Sequence, residues 1–165
     1  MHDFSHMLGH AFTSLIYIHG STCEPPQSLV ITLAHELQHF SQFAQEPRFY
    51  EADAILGHLR SYRPDLPSES DAFLISKQIA TELCGEALVR EYATAQVEIG
   101  EPCDRPRWEF FLALRVDDPL TFADKVRQQC QENQTALKAM VEANMTKYKR
   151  NASGFDFSKP DWWNE

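Results

Sequence analysis

The stretch Ile31-Thr32-Leu33-Ala34-His35-Glu36-Leu37-Gln38-His39-Phe40 decides how the chain is read. Its residues favour a helix, and the predicted helix extends from about Gln27 to Gln45. It ends there because Pro47 disfavours helical backbone at Glu46. On a helix, His35 and His39 lie about 40° apart on one face, so both imidazoles can reach one metal ion from the same side. Glu36 lies about 100° round from His35, beside the metal without having to bind it. There it can take a proton from a water that zinc has made acidic. Val30, Leu33, Leu37, Phe40 and Ala44 fall on the opposite side and are expected to face the core. Glu36 is the only Asp, Glu, Lys or Arg between Pro26 and Gln45. A lone carboxylate among histidines in so apolar a helix needs partners, and a metal site supplies them.

A catalytic zinc takes a third protein ligand. A histidine six residues after His39 would mark one class, but Gln45 stands there. The remaining candidates are carboxylates, Glu51, Glu69 and Asp71. A helix is predicted to open at Ser68 as N-cap, with Glu69 and Asp71 in its first turn. At about 100° per residue, Glu69 shares a face with Ala72, Phe73, Ser76, Ala80, Leu83 and Ala87, the side expected to pack. Asp71 falls with Gln78 and Glu82 on the side expected to meet solvent. Glu69 is therefore the preferred third ligand, with Glu51 and Asp71 as rivals.

His35-Glu36-Leu37-Gln38-His39, followed some thirty residues later by Pro67-Ser68-Glu69-Ser70-Asp71-Ala72, resembles the gluzincins, the thermolysin-like zinc peptidases. The Glu-X-Asp-Ala run looks most like the small ImmA/IrrE-type members with their Glu-X-Glu-Ala pattern. The resemblance covers roughly residues 14–95. It implies Zn2+ on His35, His39 and Glu69, Glu36 as general base, and an N-terminal strand near residues 14–19 edging a cleft for peptide substrate. Two features depart from the pattern. Phe73 stands where the thermolysin-like pattern has an Asp supporting a histidine, and an ImmA/IrrE-type alignment places Asp71 at the ligand position. No residue clearly matches the family's oxyanion-stabilising Tyr or His; His19, Tyr50, His58 and Tyr92 are candidates.

The rest of the chain bounds this reading. Its 165 residues, 43% hydrophobic, suit one domain over 1–150 followed by a tail, 151–165. The expected fold is mainly α (α+β): a minimal zincin-like core with a short N-terminal strand and a helical last third. A second helix is predicted from about Tyr50 to Ser61. The third runs from Ser68 toward Gln96 with a pause at Gly85, and another covers Trp108 to Val116. A last helix is expected from Thr121 to Arg150, burying Phe122, Val126, Cys130, Leu137, Met140 and Val141. Trp162-Trp163 in the tail suggests docking onto the domain or a protein partner.

A net charge of −9 without a basic run argues against nucleic acid and anionic membranes as partners. Cys23, Cys84, Cys103 and Cys130 form no CxxC pair, and free thiols suit a cytoplasmic setting. Neither a signal peptide nor a membrane-spanning run is apparent. His2, His6 and His10 read as an exposed terminus rather than a second metal site. The sequence thus predicts a zinc metallopeptidase; the alternative is a non-catalytic metal-binding or protein-interaction module that keeps the site.

Overall fold

The computed structural model describes residues 25–60, 64–117 and 120–143, together with Ile16 and Lys159. These residues form seven helices: α1 (Pro26–Gln45), α2 (Pro47–Arg60), α3 (Pro67–Cys84), α4 (Glu86–Ile99), α5 (Arg105–Ala113), α6 (Phe122–Glu132) and α7 (Gln134–Ala143). No strand occurs among the described residues. The strand expected at 14–19 lies outside them except for Ile16, as do His2, His6, His10, His19, Cys23, residues 144–150 and Trp162-Trp163.

Proline and glycine set the helix boundaries. Pro26, Pro47 and Pro67 each occupy the first position of a helix, where a missing N–H costs nothing and the fixed φ is already helical. Pro47 thereby ends α1 and starts α2 with only Glu46 between them. The third predicted helix proves to be two. Gly85 separates α3 from α4 with φ 89° and ψ 142°, a conformation that side-chain-bearing residues rarely adopt. The predicted 121–150 helix is also broken. Thr121 caps α6 by accepting the Asp124 N–H at 3.1 Å. At Asn133 the side-chain amide donates to the Gln129 carbonyl at 2.8 Å, so α6 stops there. The Asn133 carbonyl then accepts from Leu137 N–H at 2.9 Å, and α7 begins. Asparagine competes with the helix ladder in just this way. The helix predicted at Trp108–Val116 starts earlier and ends earlier, at Arg105 and Ala113.

The chain divides into two compact units, Met1–Ser41 with Ser70–Asp118, and Gln42–Glu69 with Pro119–Glu165. The division passes along α1 and α3, so each unit takes part of both helices. In the first, Ile31, Phe73, Ala80, Val89, Ala93 and Phe111 form the core, with Tyr92, Trp108 and Phe110 packed against it. Lys77 reaches from α3 to the end of α5, donating to the carbonyls of Phe111 (3.0 Å), Leu112 (3.0 Å) and Leu114 (2.7 Å). A cation at that end satisfies orphan carbonyls and opposes the helix dipole. Burial pulls the Lys77 pKa below its ordinary value, while Glu86 acts in the opposite direction.

In the second unit, α2 packs on α6 and α7 around Phe49, Ala52, Ile55, Leu56, Leu66, Phe122, Val126, Cys130 and Leu137. The predicted stripe of the last helix is buried here, with Met140 half-buried. Cys130 is fully buried, and its thiol pKa is pushed up to about 12, first by burial and then by the charge of Asp53. The neutral thiol is the form the fold accommodates, so this contribution is whole below pH 9.0, the ordinary value, and is lost as pH rises toward 12. Cys130 is expected to resist thiol reagents until the protein unfolds, whereas exposed Cys103 reacts in the native state. Mass-spectrometric counting of labelled cysteines, with and without denaturant, checks this.

Candidate metal centre

Helix α1 reverses the expected amphipathic sense. Leu33, Leu37 and Phe40, assigned to the core from the pattern, are exposed, as is Ala44. The buried side is mostly polar: Ser28, His35, Glu36, His39 and Gln42, with Ile31 and Ala34. Hydrophobic periodicity says that a helix has two faces. Which face turns inward depends on the partners waiting there, and a buried polar face needs hydrogen-bonding or ionic partners. Several are visible. Tyr92 O–H donates to Ser28 Oγ at 2.8 Å, Gln38 Nε2 donates to Asp71 Oδ2 at 2.7 Å, and Gln42 Nε2 donates to the Ser68 carbonyl at 3.0 Å.

The two histidines meet on this face. Their Nε2 atoms are 3.0 Å apart, and the rings stand nearly perpendicular, 86°, with centroids 4.7 Å apart. Nitrogens in that relation share a proton or converge on an ion. A tetrahedral zinc with bonds of ~2.0–2.1 Å holds two nitrogens ~3.3 Å apart, close to the separation seen. Glu69, in the first turn of α3, completes the set: one ligand atom each from His35, His39 and Glu69 lie within 4.8 Å of one another. Two imidazoles and a carboxylate are donors that zinc accepts, and three protein ligands leave a position for water or substrate. The residues therefore fit the ion.

Phe73 packs against the site from α3. Its ring lies 4.4 Å from the His35 ring, tilted by 53°, and contacts Phe110 and Phe111. A ring thus flanks His35 at the position where the thermolysin-like pattern carries an Asp, restricting the imidazole by shape. The Arg107 guanidinium lies 5.7 Å from the Phe73 ring centroid.

Asp71 corrects the helical-wheel reading. It is 8% exposed, not on the solvent side, and its carboxylate receives the Gln38 amide. Leu83 and Ala87, placed on the packing side, are exposed; Gly85 ends the helix on which that angular reading depended. Ser68 is not the N-cap, because α3 already starts at Pro67. Its hydroxyl donates to Asp53 Oδ2 on α2, and both residues are buried. Glu51 is half-buried on α2 and is not in the ligand group among the described residues.

Of the oxyanion candidates, Tyr92 engages Ser28, Tyr50 packs edge-on against Phe43 with centroids 5.8 Å apart, and His58 is exposed. Gln38, Gln42 and Asp53 were not singled out from the sequence. The two glutamines had a legible signal, since each follows a motif histidine by three residues and shares its side of the helix. Asp53 had none, because its partner Ser68 is fifteen residues away. No protein-family model matches the chain, and neither the curated proteins nor the solved structures contain a significant match to it.

Proposed function

We propose that the chain is a zinc-dependent metallopeptidase, with His35, His39 and Glu69 holding the ion and Glu36 as general base. The observation that carries this reading is the grouping of one ligand atom each from His35, His39 and Glu69 within 4.8 Å of one another, with Glu36 beside His35 on the buried side of α1. Zinc, when bound, supplies a Lewis acid and lowers the pKa of a water it holds to about 7.

The chain's own residues supply the rest. With their protons on Nδ1, His35 and His39 would each turn an Nε2 lone pair toward the ion. The Glu69 carboxylate offsets one of the two positive charges. The Glu36 carboxylate accepts the proton of the attacking water and returns it to the leaving amine, which turns a poor leaving group into a good one. Its burial keeps bulk water from competing for that proton. The three described cysteines are free, in keeping with a reducing, cytoplasmic setting. No helix among the described residues is long and apolar enough to cross a membrane.

A second reading, a metal site that serves structure or partner binding rather than hydrolysis, is favoured by one observation. His35, Glu36 and His39 are all less than a tenth exposed, which restricts substrate approach. The readings part in a simple assay. Protein purified without chelator is expected to contain about one zinc per chain. It is expected to cleave an unfolded protein substrate, to lose that activity on chelation and to regain it with added zinc. Stoichiometric zinc without chelator-sensitive cleavage supports the structural reading; absence of zinc defeats both.

A further inference from the structure

We infer that Gln38 and Gln42 are positioning residues for the third metal ligand, holding the first turn of α3 so that Glu69 faces the histidines before any metal arrives. The inference rests on the zinc reading above and says how the site is assembled. Gln38 and Gln42 are four residues apart on α1, each three residues after a motif histidine. Gln38 Nε2 donates to Asp71 Oδ2 at 2.7 Å, and Gln42 Nε2 donates to the Ser68 backbone carbonyl at 3.0 Å. Glu69 lies in the chain between these two anchor points, so the pair brackets it.

The first turn of a helix is the part most ready to fray, because its N–H groups lack intrahelical partners. Two hydrogen bonds at that turn fix the Glu69 backbone. Only its side-chain torsions are then left to be ordered on metal binding. The Ser68 hydroxyl, which donates to Asp53 on α2, fixes the same turn from another direction.

The residue type matters as much as the geometry. Lysine or arginine at 38 or 42 would repel a divalent cation and compete for the Glu69 carboxylate as an ion pair. A neutral amide donates a hydrogen bond and leaves the charge of the ligand set unchanged. The Gln38 bond also occupies an oxygen of Asp71, the rival carboxylate two residues beyond Glu69. The clamp thus selects which carboxylate of the Glu-X-Asp run is presented to the histidines.

The test uses full-length protein, with Zn2+ affinity measured by competition against a chromophoric chelator and Co2+ substitution read by its visible spectrum. Gln38→Leu and Gln42→Leu are each expected to weaken Zn2+ binding by about 10–100-fold. They should also shift the Co2+ spectrum toward that of Glu69→Ala. Asp71→Asn, which keeps an acceptor for Gln38, should bind zinc nearly as the unaltered chain does. In the Glu69→Ala background, the glutamine substitutions should weaken binding no further. Unchanged Zn2+ affinity in Gln38→Leu and Gln42→Leu, with the unaltered chain binding zinc, overturns the clamp but leaves the zinc reading intact. An equal loss in the Glu69→Ala background also overturns it, because the glutamines would then act through something other than Glu69. If Gln42→Leu does not fold, Gln38→Leu, at a half-buried position bonded to a side chain, decides the matter alone. Failure of the unaltered chain to bind zinc overturns the zinc reading and the clamp with it.

Discussion

Replacing Glu36 by glutamine is expected to leave the zinc content of the protein unchanged and to slow peptide hydrolysis by about 10²–10⁴-fold. The substitution is nearly isosteric and keeps one acceptor oxygen, exchanging the other for an NH2 donor, so the packing of the buried face of α1 should survive. It removes a carboxylate that can carry a proton from the attacking water to the leaving amine. The loss should appear in kcat rather than in KM, since the group acts where the proton moves and not where substrate is bound. The measurement is hydrolysis of an unfolded protein substrate alongside elemental analysis of the same preparation. Retained activity with retained zinc would remove Glu36 from the role of general base. Loss of zinc together with activity would place Glu36 among the groups that hold the ion.

The second large effect concerns the ion itself. His39→Ala is expected to weaken zinc binding by roughly a hundredfold or more, the share of one ligand in a zinc affinity of about 10–16 kcal/mol. The same substitution should abolish stabilisation by metal. Zinc at about a hundred times its dissociation constant stabilises the unaltered protein by about 2.7 kcal/mol, provided the unfolded chain does not bind it. For a chain of this length that corresponds to a rise in Tm of roughly 5–10 °C. Thermal unfolding with and without zinc is therefore expected to differ for the unaltered chain and to coincide for His39→Ala. His35→Ala should behave alike, with some further loss of stability where the Phe73 ring is left without its neighbour. A Tm that rises equally with zinc in the variants would locate the metal elsewhere.

The histidine pair was legible because it depends on local geometry alone. Two histidines four residues apart on a helix share a face whatever surrounds them, and α1 extends from Pro26 to Gln45, within one residue of the boundary expected from the sequence. The grouping of Glu69 with the two histidines was legible for a less secure reason. The Glu69 face of α3 does carry the buried Ala72, Phe73, Ser76 and Ala80, but the same helical wheel put Asp71 in solvent and Leu83 in the core, and both placements fail. The wheel assumes one straight helix and one packing direction. Gly85 ends α3 before Ala87 could continue the face, and Asp71 is drawn inward by Gln38, on a helix thirty-three residues earlier in the chain.

The inverted burial of α1 has the same origin. Leu33, Leu37 and Phe40 form a regular apolar stripe, and periodicity alone assigns such a stripe to the core. The opposite side instead meets Asp71, the Ser68 carbonyl and Tyr92, none of which is near α1 in the chain. A sequence displays the period of a helix but not the identity of its tertiary partners. In the last third, the break at Asn133 was missed because α6 and α7 keep the same apolar spacing across it. The break lies at Asn133 alone, where φ is −107° and ψ 15° and the side-chain amide bonds back to Gln129.

Whether residues from α1 and the first turn of α3 hold a zinc ion is decided by crystallising the protein with zinc and measuring anomalous diffraction on both sides of the zinc absorption edge. One strong zinc peak per chain is expected, bonded to His35 Nε2, His39 Nε2 and a Glu69 carboxylate oxygen, with a remaining position open to water. No zinc peak beside His35 and His39, or a zinc ion there that Glu69 does not touch, would contradict this expectation.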